Sequence, residues 1–282
     1  MKVSEIFESR TQPVSFEMFP PKGQLTLDVA REVVTGFAQL APDFISVTCS
    51  AGGSGNSKQT AEIAAMIRGD FGLSSVAHVT CQGMTEEALQ ERIASLKAAG
   101  VENVLALRGD AVPGMGPSSF KYAKDIIPLL VDAGFCVGAA AYPEGHIACN
   151  DLALSVQYLK EKQDAGASFF VTQLFFDNDY YFRFRDLADR AGICVPITCG
   201  IMPFLGKDQV ARMIFMCGAS LPSPIIKLLA RYEDDPASLR KAGIEYACRQ
   251  LQALKAAGVD GLHVYTMNAF DIALGAMASL RS

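Results

Sequence analysis

Short apolar segments rich in Val, Ile and Phe alternate along the whole chain with longer segments of helical period. This alternation predicts strand–helix pairs joined by right-handed crossovers, and therefore a parallel sheet. The segments that predict strands lie at about residues 14–19, 43–49, 75–81, 102–108, 136–142, 168–175, 195–201 and 261–265. Eight pairs favour a closed (β/α)8 barrel, a TIM barrel, over an open doubly wound sheet. An open sheet that binds a dinucleotide would have G-x-G-x-x-G after its first strand, where this chain has PPKGQ.

Capping residues support the helices between these strands. Thr85 is placed as the N-cap of a helix that Gly100 ends, and Asp235 as the N-cap of a long helix that begins with Pro. Pro128 predicts a kink or a late start in the helix at about residues 119–133.

Size and charge limit the class of protein. The chain has 282 residues, 50% of them hydrophobic, and we expect one barrel domain over residues 1–282. A net charge of −5 without a block of Lys and Arg argues against nucleic acid and anionic membranes as partners. The N-terminal MKVSEIFESR has no apolar core of a signal peptide, and no apolar run approaches the roughly 20 residues of a membrane span. We therefore expect a cytoplasmic protein.

The eight cysteines are scattered and form no CxxC pair. Reduced, structural thiols are the expected state. Cys194 and Cys199 flank a strand but have no second pair to complete a zinc site, so no metal is expected.

In a barrel of this kind, the chemistry takes place at the C-terminal ends of the strands. Glu17 lies within the first predicted strand, VSFEMF, where a buried carboxylate is costly unless it is paired or protonated. Other strands end in polar groups: Thr48, His78 with Thr80, Arg108 to Asp110, Tyr142 to His146, and Gln173.

Each of these groups also has a structural alternative. Arg108 and Asp110 would pair at a turn that Gly109 permits, and His78 and His263 would be hydrogen-bonded core residues. The segment AGGSGNS resembles a phosphate-binding loop but lacks the Lys-Ser/Thr ending, and Asn56 or Ser57 as a helix cap explains it equally well.

Together, the motifs resemble the methylenetetrahydrofolate reductase family along essentially the whole chain. The segments SFEMFPPK, ISVTCSAGGS, AHVTC, LALRGD, AAYPEGH, LKEKQDAGASFFVTQLFFD, GIMP and HVYTMN occur in family order. The resemblance implies a (β/α)8 barrel that binds FAD and passes hydride from NAD(P)H to methylenetetrahydrofolate, an oxidoreductase of one-carbon metabolism and methionine biosynthesis. We also expect a homo-oligomer, or a complex with an electron-transfer partner.

The resemblance also implies roles for individual residues. Glu17 is the acid that opens the five-membered folate ring, and partial burial favours the protonated form that this role needs. Asp110 lies near the flavin ring and the folate pterin, and is also catalytic. The implied flavin contacts are Thr48, Cys49, His78, Leu107, Arg108, Gly109, Asp110, Tyr122, Ala123, Tyr142, His146, Ser155, Tyr158 and Lys162, with Arg108 and Lys162 facing the diphosphate. The implied substrate contacts are Asp110, Gln173 and Gln209.

Several positions depart from the family pattern. Ser155, Tyr158 and Glu161, followed by Lys162, stand where known bacterial members carry an Asp, an Asn and an Arg-Lys pair. Ala269 replaces a basic folate-tail contact, and Met213 replaces a Phe that stacks on ligand. The regulatory C-terminal domain of larger members is expected to be absent.

Two alternatives stay open. One is a complex-bound subunit of the same family with weakened or lost FAD binding, which the altered helix around Ser155 suggests. The other is a barrel lyase or aldolase with a Schiff-base lysine, which the absence of Lys from the eight predicted strands disfavours.

Overall fold

A computed structural model describes residues 1–21, 27–49, 57–110 and 114–281. Eight parallel strands close into a barrel in sequence order, which confirms the predicted (β/α)8 fold. The strands are β1 (Val14–Met18), β2 (Phe44–Val47), β3 (Ser74–Thr80), β4 (Asn103–Leu107), β5 (Cys136–Ala141), β6 (Phe169–Thr172), β7 (Ile197–Ile201) and β8 (Gly261–Tyr265). The helices are α1 (Val3–Ser9), α2 (Leu27–Gln39), α3 (Ser57–Phe71), α4 (Glu86–Ala98), α5 (Ala123–Asp132), α6 (Leu152–Asp164), α7 (Asn178–Arg190), α8 (Lys207–Cys217), α9 (Ser223–Arg231), α10 (Pro236–Ala256) and α11 (Phe270–Arg281).

The capping predictions agree with the structure. The Thr85 side chain accepts a hydrogen bond from the Ala88 amide at the start of α4, and Asp235 accepts one from the Ser238 amide at the start of α10. Helix α5 begins late, at Ala123, and retains Pro128 in its interior. None of the helices within the described residues has the length and apolar character needed to cross a membrane.

The register of β1 decides which of its side chains face the barrel interior. Glu17 pairs with Ser46 on β2 and with Tyr265 on β8, while Phe16 and Met18 pack into the core between the sheet and the helices. Successive side chains of a strand point to opposite faces. Glu17 therefore points into the barrel, where an acid is out of place in a purely apolar core.

Helix α1 closes the N-terminal end of the barrel and was not predicted. Its Val3 amide donates to Asn103 Oδ1 over 2.8 Å, and Val3 and Ile6 pack in a buried cluster with Phe44 and Phe169. Because this end is sealed by apolar packing, access to the barrel interior is left to the C-terminal end.

The connection from β7 to β8 carries three helices instead of the single one predicted. Helices α8 and α9 precede α10 and cover an apolar cluster that includes Phe204, Ile225 and Leu239. This excursion adds a second layer beside the C-terminal end of the barrel.

Candidate active site

Glu17 lies between two buried imidazoles inside the barrel. Its Oε2 is 3.7 Å from His78 Nε2 and 3.7 Å from His263 Nε2, and its side chain is 20% exposed. Neither Nε2 atom has a hydrogen-bond partner among the described residues. A separation of 3.7 Å is longer than the donor–acceptor distance of a hydrogen bond. The carboxyl group of Glu17 thus has two polar neighbours but is not hydrogen-bonded to either imidazole.

The two histidines differ in their surroundings. Burial lowers the pKa of His78 to about 4. Glu17 opposes this shift, and His263 lowers the pKa slightly further. His78 is therefore neutral near pH 7. His263 Nδ1 lies 2.7 Å from Ser15 Oγ, and that hydroxyl also donates to the Leu262 carbonyl over 3.3 Å. The contact with Ser15 thus holds the His263 ring with its Nε2 toward Glu17.

Tyr265 connects this acid to the rest of the polar interior. Its hydroxyl donates to the Thr172 carbonyl over 2.6 Å. Burial holds its pKa well above the usual range, and nearby Glu17, Cys217 and Tyr142 raise it further. Glu17 and Tyr142 therefore both lie close enough to the Tyr265 phenol to influence its ionisation.

A cleft of about 690 Å³ lies between the ends of β4 and β5 and the helices α5 and α6. It is lined by nine of the predicted flavin contacts: Leu107, Arg108, Tyr122, Ala123, Tyr142, His146, Ser155, Tyr158 and Lys162. Lys124 and Glu161 also line it. The structure therefore brings together, in one cavity, residues from four separate elements.

Two cations in the cleft have no anionic partner among the described residues. Lys162 Nζ donates to the Ala140 carbonyl over 2.8 Å and lies 5.3 Å from the centre of the Tyr142 ring, and burial lowers its pKa to about 8. Arg108 Nε contacts only the Gly109 carbonyl, at 3.3 Å. Unpaired cations in a concave site are suited to phosphate groups. This donor set fits the diphosphate of FAD.

Two further polar groups of the cleft, Tyr142 and His146, are neutral near pH 7. Burial raises the pKa of Tyr142 to about 12. His146 packs edge-on against Tyr142, with ring centres 4.8 Å apart, and its Nδ1 accepts from the Ala148 amide. Burial lowers the pKa of His146, and Arg108 and Lys162 lower it further.

The other predicted flavin contacts lie outside the lining of this cleft. His78 is beside Glu17, and Thr48 and Cys49 follow β2, where the Thr48 amide donates to the Met18 carbonyl. Gly109 has φ +80°, and an added Cβ would lie 3.0 Å from Thr80 Cβ, so the turn of the LRGD segment requires glycine. The contacts expected of these residues stay predictions.

Asp110 is exposed and makes no ion pair with Arg108 in the described part of the chain, so the pairing considered as a structural alternative is not formed. Its charge raises the pKa of both Tyr142 and Cys217. Asp110 therefore lies near the cleft wall and near the end of α8.

The two predicted substrate amides differ in how they are held. β6 ends at Thr172, earlier than predicted, so Gln173 lies just beyond the strand, where its Oε1 accepts from the Leu174 amide. Gln209 accepts from the Leu205 amide over 2.6 Å and donates to the Pro203 carbonyl over 3.3 Å. Both polar ends of Gln209 thus brace the loop that follows β7.

Some participants were missed from sequence. Ser15 and Tyr265 were not considered, and His263 was interpreted as structural although it faces Glu17. The alternation of side chains along a strand could have identified them, because Ser15 lies on the same face of its strand as Glu17, and His263 on the same face as Tyr265. The segment AGGSGNS falls mainly at residues 51–56, outside the described ranges. No group of three or more His, Cys, Asp or Glu among the described residues is placed to hold a metal ion.

These features define a (β/α)8 barrel with a candidate active site at the C-terminal ends of its strands, next to a cleft suited to a phosphate-bearing ligand. A family model described as methylenetetrahydrofolate reductase matches residues 2–280. The chain belongs to this family.

Curated relatives agree with that assignment. The 5,10-methylenetetrahydrofolate reductase of Escherichia coli is 34% identical over 90% of this chain and 86% of the relative. Methylenetetrahydrofolate reductase 1 of Schizosaccharomyces pombe is 35% identical over 90% of this chain but only 43% of the relative. The chain therefore spans about half the length of the eukaryotic relatives it matches.

Solved structures share the fold at low identity. An uncharacterized protein from Clostridium thermocellum, described as binding two copies of 5-methyl-5,6,7,8-tetrahydrofolic acid, has a TM-score of 0.67 at 13% identity, with full coverage of both chains. Tryptophan synthase of Mycobacterium tuberculosis has a TM-score of 0.58 at 11% identity, covering 99% of this chain and 97% of its own. Such likeness establishes the barrel alone.

Proposed function

We propose that this chain reduces 5,10-methylenetetrahydrofolate to 5-methyltetrahydrofolate, with electrons from NAD(P)H and with FAD held in the cleft. The family match over residues 2–280 carries this proposal. The names of the bacterial relatives support the reaction, and the folate bound by the Clostridium thermocellum barrel supports the substrate class.

FAD supplies, when bound, a group that accepts and donates two electrons. Arg108 and Lys162 would hold its diphosphate, because they are the cations of the cleft without a carboxylate partner in the described chain. Tyr142 and His146, both uncharged near pH 7, would line the cleft without a competing charge. Asp110 and Gln173 are proposed to contact the pterin, and Gln209 would have to exchange a loop hydrogen bond for a substrate contact.

Glu17 is proposed to deliver the proton that opens the folate ring. Its carboxyl proton goes to the ring nitrogen of the methylene bridge, the carbon–nitrogen bond breaks, and its electron pair stays on that nitrogen, leaving an iminium on the other nitrogen. The neutral His78 places no positive charge beside the carboxyl group. The Glu17 side chain is 20% exposed, so the carboxyl group is accessible from the open end of the barrel.

The Glu17→Gln variant tests this role. We expect it to bind FAD and to have its flavin reduced by NAD(P)H at near-normal rates, while folate reduction falls by about 10²–10⁴-fold, the usual contribution of a general acid. Stopped-flow absorbance separates the two half-reactions and, with NADH and NADPH compared, identifies the electron donor.

Glu62→Gln is the matched control and should leave both half-reactions unchanged, because Glu62 lies on α3 and forms an ion pair with Lys58 at 3.8 Å. Near-normal folate turnover by Glu17→Gln would show that another group supplies the proton.

A second candidate function rests on Lys162. A buried lysine whose pKa is lowered to about 8 resembles the amines that form Schiff bases in barrel lyases and aldolases. Its position on α6, with Nζ bonded to the Ala140 carbonyl, is better suited to holding an anion. A flavin absorbance spectrum of the purified protein would exclude the lyase, whereas a colourless protein that takes up no added FAD would overturn the reductase proposal.

A further inference from the structure

The rim of the cleft carries an ion pair that joins its two helical walls. Lys124 Nζ of α5 lies 2.5 Å from Glu161 Oε2 of α6, and the two side chains are 40% and 44% exposed. Both residues line the cleft. Lys124 also lies 5.8 Å from the centre of the Tyr122 ring, which is 44% exposed. The pair therefore sits at the outer edge of the cavity.

This pair differs from the other charges of the same cleft. Arg108 and Lys162 have no carboxylate partner within the described ranges, and Lys162 is buried. The Asp151 carboxylate accepts from the Ala153 and Leu154 amides as the N-cap of α6. Glu161 is thus the cleft carboxylate that neutralises a cation instead of capping a helix.

We propose that the Lys124–Glu161 ion pair sets the affinity and selectivity of the cleft for a dinucleotide, by withholding Lys124 from the phosphates and adenosine at the outer end. The inference rests on the proposed function, because it takes FAD as the ligand. The diphosphate would meet two free cations, Arg108 and Lys162, while a third is held by its own carboxylate. Glu161 also contributes a negative charge that repels phosphate through the solvent-exposed rim.

Unequal effects of the two single substitutions follow from this arrangement. Glu161→Gln frees Lys124 and removes the repulsive charge, so FAD binds about threefold to tenfold more tightly. Lys124→Met leaves the Glu161 carboxylate without its partner, so FAD binds more weakly by a similar factor. The double variant restores affinity to within about twofold of wild type, since the pair as a unit is neutral.

The measurement is the dissociation constant of FAD and of FMN, followed by quenching of flavin fluorescence on apoprotein at about 20 mM and about 300 mM NaCl. FMN lacks the adenylate end, so its affinity should change by less than about twofold in Glu161→Gln. The gain for FAD should shrink at the higher salt concentration because the interaction is electrostatic. Circular dichroism checks that each variant is folded.

Glu233→Gln is the matched control. It removes a carboxylate from the Lys207–Glu233 pair, whose members do not line the cleft, and changes the net charge by the same amount. Equal effects of Glu161→Gln and Glu233→Gln would overturn the inference, as would weaker FAD binding in Glu161→Gln, which would indicate a direct bond from the carboxylate to the ligand. Equal tightening for FMN would overturn the placement at the outer end. Failure of the wild-type protein to bind FAD at all would instead remove the proposed function itself.

Discussion

At the scale of single residues, Lys162 shows how burial prepares a side chain for a ligand. Its ammonium group is buried, without a carboxylate partner in the described chain, and bonded to one backbone carbonyl. Burial penalises the charged form and lowers the pKa to about 8. The protein thus maintains a cation that is poorly stabilised until an anion arrives.

This state predicts a pH dependence of FAD binding. Below about pH 8 Lys162 carries its charge, and above it the free protein loses that charge, so the dissociation constant should rise above pH 8, approaching tenfold per pH unit. Lys162→Arg should remove this dependence because arginine stays protonated throughout. Fluorescence titrations with FAD from about pH 7 to pH 9.5 measure it; identical profiles for wild type and Lys162→Arg would assign the titration to another group.

At the scale of elements, the crossover from β7 to β8 depends on a close approach between a helix and a loop. A Cβ added to Gly243 on α10 would lie 1.7 Å from the Phe204 carbonyl oxygen, which is backbone and cannot rotate away. Gln209 braces the same loop through Leu205 and Pro203. Glycine at this one position allows α10 to pack against the loop that precedes α8.

Gly243→Ala should therefore destabilise the protein. Forcing α10 away from the loop should lower the free energy of unfolding by about 1–3 kcal/mol, measured by urea denaturation. Gly69→Ala is the matched control, since Gly69 lies exposed on α3 with no atom within 4 Å of the added Cβ. That substitution should stabilise by about 0.5–1 kcal/mol through helix propensity. Equal changes in the free energy of unfolding of the two variants would mean that the loop moves aside without loss of stability.

At the scale of the whole molecule, the barrel interior is apolar at the end that α1 closes and polar at the other. Phe44, Phe169 and Leu105 fill the closed end, while Glu17, His78 and His263 lie toward the open end. A buried, neutral imidazole lowers the stability of the folded protein at acidic pH, because the imidazole binds a proton more readily in the unfolded chain than in the folded chain.

The stability of the protein should accordingly fall in mild acid. His78 has a folded pKa of about 4 against 6.5 when unfolded, so the unfolded state binds more protons throughout that window and the free energy of unfolding decreases as pH falls from 6.5 to 4. The loss from this residue is about 3 kcal/mol. His78→Gln should lessen the pH dependence, and His146→Gln, at a half-buried site, should lessen it less. Urea denaturation at several pH values measures this, and an unchanged pH slope in His78→Gln would contradict it.

Local patterns determined the strands, several helix ends and the residues gathered at the strand ends. Thr85 and Asp235 cap their helices as predicted because capping is a short-range hydrogen bond. Helix α1, by contrast, is positioned by long-range contacts, its packing against Phe44 and Phe169 and the hydrogen bond from Val3 to Asn103, so its short sequence carried little signal. The end of β6 was misplaced because the apolar run FFVTQLFF continues beyond the last strand pairing at Thr172.

By itself, the sequence determined the barrel, since eight alternations of strand and helix leave few other ways to bury every apolar face, and it determined that Glu17 lies near the active end. Only the tertiary structure decided which side chains surround Glu17. Ser15 and His263, 248 positions apart, meet because closure pairs β1 with β8, and His78 reaches Glu17 across the interior. The ion pair between Lys124 and Glu161 likewise needs α5 and α6 side by side. Such contacts depend on strand register and helix packing, where a shift of one residue in a strand turns a side chain from the interior to the outer layer.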